Sequence, residues 1–296
     1  MNRLALTVLV VFGLIFSAGG AFAGGDSETC ATKYPIVLSH GMGAHADNLG
    51  IGYWYGIPGA LEDEGADVYI SDQMAMQGTA YRAQEVKAYV QYVLAVTGKS
   101  KVNIIGHSHG TLDTRYMISN LGMASKVASY TSIAGPHRGS SVADVILGVL
   151  PDSGEWLVSG LVDTIYDWIF GDKSNSIQGA RDLSTSYMKN TFNPNTPNMS
   201  GIYYQSWAAK IKTITADFLI AEPTFLLMLF YEGDNDCLVS VNSAKWGTYR
   251  GVQSGAWWCG GVSHFNIVDQ FLGITPGFDA PQFYIDVVSE LKNKGY

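Results

Sequence analysis

Positive charge is scarce in this chain: 18 lysines and arginines face 26 aspartates and glutamates, a net charge of −8 over 296 residues. Such a surface repels phosphate backbones and anionic lipid, which argues against nucleic acid and anionic membranes as partners. Cysteine is scarcer still, present only at 30, 237 and 259. Three thiols allow at most one intramolecular bridge and no disulfide framework. No internal repeat, heptad pattern, Cys/His cluster of metal-binding type or low-complexity tract is visible. The apolar run over residues 4–16 is too short for a membrane span of about 20 residues.

That short run has another reading. Met1-Asn2-Arg3 is a basic n-region, residues 4–16 an apolar h-region, and Ala21-Phe22-Ala23 a small-residue site. The pattern is that of a secretory signal peptide cleaved after Ala23, so residues 1–23 are expected to be removed and the protein to be secreted. Residues 24–296 are then expected to form one domain, one charge more acidic for the loss of Arg3. Export allows disulfides to persist. Cys237 and Cys259 enclose a loop of about twenty residues whose closure stabilises by about 3 kcal/mol, and they are the predicted pair. Cys30 is left out because it lies near an N-terminus expected to be mobile.

The most informative stretch is Gly106-His107-Ser108-His109-Gly110. It follows the apolar run 101–105 and precedes residues 111–121, which have helical composition and spacing. A G-x-S-x-G between strand and helix is a nucleophile elbow: the turn is sharp enough to hold the serine in strained geometry with its hydroxyl raised, and glycines flank it because side chains there would collide. The chain around it alternates. Strands are predicted at 34–39, 66–71, 101–105, 127–134 and 224–231, and helices at 53–64, 81–96, 111–121 and 281–293. This alternation predicts an α/β-hydrolase fold, a mostly parallel doubly wound sheet with its site at the carboxyl ends of the strands. Residues 142–170 are rich in large apolar side chains and are read in part as a helical lid over an apolar acyl pocket, within an insertion spanning about 142–215. Residues 171–215 are polar and poorly periodic, and suggest loops and short helices.

In this fold the triad runs serine, acid, histidine along the chain. Ser108 is the nucleophile. Of six histidines, His40, His45 and His107 precede it and His109 and His137 precede the acid's strand, leaving His264 as general base. Asp234 and Asp236 both follow the apolar run 224–231, and the residues alone leave both open. One oxyanion-hole N–H is expected from His109, next to the nucleophile, and one from Met42 in the His40-Gly41-Met42 turn. The side chains of His107 and His109 are expected to point away from the line of attack. The chemistry requires no cofactor.

The chain resembles the secreted pseudomonad-type bacterial triacylglycerol lipases that mature with a dedicated foldase. The resemblance rests on residues 32–38 with His40-Gly41-Met42, on Tyr53-Trp54-Tyr55-Gly56-Ile57-Pro58, on Lys101 through Gly110, on Pro136-His137-Arg138-Gly139-Ser140 and on Asn235-Asp236. It is close over 32–144 and loose beyond. It implies a lipase that hydrolyses acylglycerol esters at a lipid–water interface, a foldase as partner, and Asp236 as the acid, here followed by Cys237 where the family has glycine. It also implies a structural calcium ion near the histidine loop, held by two carboxylates and two backbone carbonyls; Glu222 and Asn266 match the carboxylate positions, Gln270 and Ile274 the carbonyl donors. An amide at 266 in place of a carboxylate weakens such a site. The family's disulfide does not carry over, since neither cysteine stands at its usual position. An esterase or polyester hydrolase of the same fold is the alternative, and a non-catalytic lipid-binding protein a remote one.

Overall fold

The computed structural model describes residues 28–43, 47–48, 51–150, 176–213, 222–270 and 273–296. The sequence reading of residues 1–23 and most of the proposed lid therefore fall outside the described residues. At the centre is a six-stranded sheet, every pairing parallel: β1 (Ile36–Ser39), β2 (Val68–Ser71), β3 (Val102–His107), β4 (Val127–Ile133), β5 (Tyr203–Ala209) and β6 (Thr248–Gln253), in spatial order β2-β1-β3-β4-β5-β6. β1, β3 and β4 are buried at every position, as strands covered on both faces must be.

Alternation along these strands divides the core. Ile36, Leu38 and Ile105 face α1 (Ile57–Asp63) and α7 (Ala280–Asn293), packing with Leu61, Tyr284 and Val288. Val37, Val102 and Ile104 face α2 (Thr79–Thr97) and α3 (His109–Asn120), packing with Val86, Val90, Val93 and Met117. Each such aliphatic residue contributes about 1.5–3 kcal/mol on burial. The two helical layers hold the sheet rigid and leave the carboxyl ends of β1, β3 and β5 to carry loops.

Three expectations are corrected. Residues 224–231 are not a strand but lie in α6 (Glu222–Glu232), which starts with Pro223 in its first turn, a position where the missing N–H costs nothing. The sheet position next to β4 is taken instead by β5, inside the stretch read as loops, and β6 adds an edge strand the sequence reading did not contain. The start of the 142–170 segment is α4 (Ser141–Ile146), whose Val142 and Val145 pack on Leu227 and Met228 of α6; this part is core, while 151–170 lies outside the described residues.

The cysteines also depart from expectation. Cys30 is fully buried, its N–H donating to Glu64 O at 2.7 Å, so this part of the N-terminus is held in the core. No disulfide joins Cys237 to Cys259. Cys237 is buried among Ile211, Phe225 and Phe265, whereas the Cys259 thiol donates to Ala256 O at 3.0 Å within its own turn. Each side chain is satisfied where it stands. Denatured protein labelled without reductant should therefore yield three thiols per chain, and peptide mapping should find 237 and 259 unlinked; a single thiol with a linked 237/259 pair would overturn this.

Candidate active site

The three candidate catalytic residues come from three segments at the carboxyl edge of the sheet. Ser108 follows β3 directly and caps α3 with φ 54° and ψ −131°, a positive-φ conformation that residues with side chains rarely adopt. The turn survives because its neighbours have no side chains. A Cβ on Gly110 would lie 2.3 Å from Ser39 O, and one on Gly41 would lie 2.7 Å from Ser108 Cβ. His109 is the first residue of α3, where a backbone N–H has no intrahelical acceptor.

Asp236 does not follow a strand directly, yet it reaches the same edge. Ile211, just beyond β5, donates its N–H to Asn235 O at 2.9 Å, which docks the acid's loop at the end of β5. Asp236 Oδ1 accepts the N–H groups of Leu238 (3.0 Å) and Val239 (2.7 Å), and Oδ2 lies 2.8 Å from His264 Nδ1. The main chains are tied as well, His264 N donating to Asp236 O at 2.8 Å. Asp234, the other carboxylate left open by the residues, points to solvent and pairs with Lys210 at 2.9 Å. The proton on His264 Nδ1 is thereby fixed, leaving the buried Nε2 without a hydrogen-bond partner among the described residues.

The loop bearing Met42 is held by a buried arginine. Arg82 donates through Nη2 to His40 O (2.8 Å) and Gly41 O (3.1 Å), and through Nε to Asp113 Oδ2 (2.7 Å). His40 Nδ1 adds a 2.8 Å contact to Gly41 O. Because a peptide unit is planar and trans, holding Gly41 O fixes the direction of the Met42 N–H on the opposite side of the same unit. The Met42 side chain rests on α5 (Ser176–Leu183), where a Cβ on Gly179 would lie 2.2 Å from Met42 Cε. α5 is bolted down by Asp182, which accepts the Thr79 N–H at 2.6 Å. Burial pushes the Asp113 carboxyl up to about 7, against the pull of Arg82.

Burial lowers His107, His109 and His137 well below the ordinary histidine range, so all three are neutral. His109 turns away from the serine as expected, its Nε2 2.7 Å from Thr79 Oγ1. His107 does not: its ring lies 4.5 Å from that of His264, with Tyr53 Oη 2.5 Å from its Nδ1. Arg82, Tyr53 and His107 are the site residues the sequence reading missed. Arg82 could have been found as a lone cation four residues before Val86 on the apolar face of a helix.

The positions implied for calcium do not fit a hard cation. Asn266 Oδ1 already accepts from Ser263 Oγ (2.8 Å) and Ser263 N (3.2 Å), and its Nδ2 donates to Thr275 Oγ1 (2.8 Å). Both lone pairs of that oxygen are used. Glu222 opens α6, its side chain outside the described residues. No three acidic, histidine or cysteine side chains converge among the described residues. The Ser263–Asn266–Thr275 hydrogen bonds, together with His264 N on Asp236 O, hold the histidine loop. Chelation with EDTA should therefore leave Tm and activity unchanged. Asn266→Ala should cost about 1–3 kcal/mol through stranded buried partners and lower Tm by about 5 °C. A drop in Tm on chelation, restored by calcium, would contradict this.

A family model described as alpha/beta hydrolase fold matches residues 34–228. The triacylglycerol lipase of Vibrio cholerae is 31% identical over 329 aligned positions, covering 100% of both chains. That of Burkholderia plantarii is 36% identical over 198 residues, 63% of this chain and 54% of that one. Among solved structures, a Bacillus licheniformis lipase in mature form superposes with a TM-score of 0.65 at 18% identity, over 87% of this chain and 92% of that one. A metagenomic carboxyl esterase gives 0.68 at 15% identity, over 95% and 82%. At such identities the structures attest the fold alone.

Proposed function

The chain belongs to the alpha/beta hydrolase fold family and is a lipase-type ester hydrolase, and from that premise we propose that it is a secreted serine lipase acting on triacylglycerols through an acyl-enzyme on Ser108. The observation that carries the mechanism is the Asp236–His264 hydrogen bond, with the His264 ring packed 4.5 Å from that of His107, the residue immediately before a serine held at positive φ. Ser108 Oγ attacks the ester carbonyl carbon while His264 Nε2 takes its proton. The imidazolium so formed is stabilised by Asp236 Oδ2, whose other oxygen is pinned by two backbone N–H groups.

The oxyanion that develops is met by the N–H groups of Met42 and His109, each worth about 3–4 kcal/mol. Collapse expels the alcohol, which leaves with the proton from His264, and the acyl group stays on Ser108. Water then enters, gives a proton to His264 and releases the fatty acid by the reverse of the same steps. Secretion is supported by the n-region, h-region and Ala21-Phe22-Ala23 site. A foldase as maturation partner is supported by the sequence resemblance set out above.

Ser108→Ala should reduce ester hydrolysis by at least about 1000-fold while the protein stays folded; a folded variant keeping a tenth of the activity would refute the assignment. Rates on p-nitrophenyl esters from C2 to C16, with and without emulsified triglyceride, test the substrate class. A lipase favours long chains and the emulsion. A preference for short soluble esters, with no hydrolysis of emulsion, would identify a carboxylesterase instead.

A further inference from the structure

One buried hydroxyl lies between the two halves of this site. Tyr53 Oη accepts the Gly41 N–H at 3.1 Å and lies 2.5 Å from His107 Nδ1. A phenol has one proton. Oη has no other acceptor within hydrogen-bond distance among the described residues, so that proton goes to His107 Nδ1, which leaves His107 as the neutral Nε2–H tautomer. Burial favours the neutral form of both groups, raising the phenol and lowering the imidazole. The His107 ring then packs on His264, centroids 4.5 Å apart and tilted by 41°. At the other end, Gly41 sits so close that a Cβ on it would lie 2.7 Å from Tyr53 Oη.

We propose that Tyr53 and His107 act as a positioning pair that holds the oxyanion loop and the general base in one register, Tyr53 aligning the peptide unit of Gly41 and His107 setting the face of the His264 ring. The proposal rests on the reading of Ser108 and His264 as nucleophile and base. Gly41 lies between two peptide units. The one preceding it is held at its N–H by Tyr53 and at its carbonyl, His40 O, by Arg82 and by Gln73 Nε2 at 2.9 Å. The one following it carries the Met42 N–H. Loss of the hydroxyl strands the Gly41 N–H and His107 Nδ1 together, freeing the loop to rotate and the imidazole to change tautomer.

The test is a double-mutant cycle read as kcat per active site, the sites counted by complete phosphonate labelling of Ser108. Tyr53→Phe keeps the ring and removes the hydroxyl; His107→Leu removes the acceptor; His107→Asn retains an acceptor oxygen near the position of Nδ1. Tyr53→Phe and His107→Leu should each lower kcat at least tenfold with KM within twofold of wild type. The double variant should lose less than the product of the two single losses, because both remove the shared Tyr53–His107 hydrogen bond. His107→Asn should recover at least half of the loss on a logarithmic scale. A purely structural role would reduce the number of labelled sites and leave kcat per site unchanged. Tyr53→Phe within twofold of wild type in kcat per site, or losses that multiply in the double variant, overturns the proposal. Failure of the underlying reading shows separately, as activity retained by Ser108→Ala.

Discussion

Between the end of β1 and the first turn of α3 there is room for a hydrogen atom and nothing larger: a methyl on Gly110 would stand 2.3 Å from one carbonyl oxygen of the strand and 2.5 Å from the next. This contact brings the serine's turn against the loop that follows β1, and every other feature of the site follows from it. With the two backbones touching, Ser108 stands at a positive φ of 54°, and Gly41 must lack a side chain. The loop after β1 then presents its carbonyls inward, where bulk water does not reach. Buried carbonyls need donors, and Arg82, His40 and Gln73 supply them.

The polar layer so formed explains the division of labour among the histidines. His107, His109 and His137 are buried next to hydroxyls, and His109 and His137 also near arginine, surroundings that all favour the neutral imidazole. Among the described histidines, only His264 is given a carboxylate at 2.8 Å on its Nδ1. An imidazolium can be stabilised there, whereas the carboxylates nearest His40 and His109, those of Asp72 and Asp113, stand at 3.6 Å, beyond hydrogen-bond distance.

How much of this was legible depended on whether chemistry or periodicity carried the signal. The elbow, the strand β3 before it and the family of the chain could be read because glycine and serine in that order answer a steric demand. Residues 224–231 misled because the seven apolar or aromatic positions 225–231 in a row have no period: the same run holds buried Met228 and Phe230, which is 77% exposed. β5 was missed for the opposite reason. Its buried Gln205 and Ser206 look like loop residues, and only the fold reveals that Thr131 Oγ1 and the Trp246 N–H satisfy them. The cysteine pairing failed because sequence separation measures loop length and not direction. His107 was undervalued because its contact to His264 spans 157 positions of chain, read from the numbering itself.

The contact between Met42 and Gly179 bears on how such enzymes can be recombined. Met42 belongs to the loop after β1, and Gly179 to a helix of the segment inserted before β5, yet the thioether of one fills the space left by the missing side chain of the other. The insertion is therefore not a detachable module. A chimera that took residues 142–215 from a relative with alanine at the position of Gly179 would bring a methyl 2.2 Å from Met42 Cε, and the flexible Met42 side chain would have to move aside on a loop that the exchange never touched. The natural unit of exchange is the pair, and the boundary between scaffold and insertion drawn along the chain is not the boundary drawn by the packing.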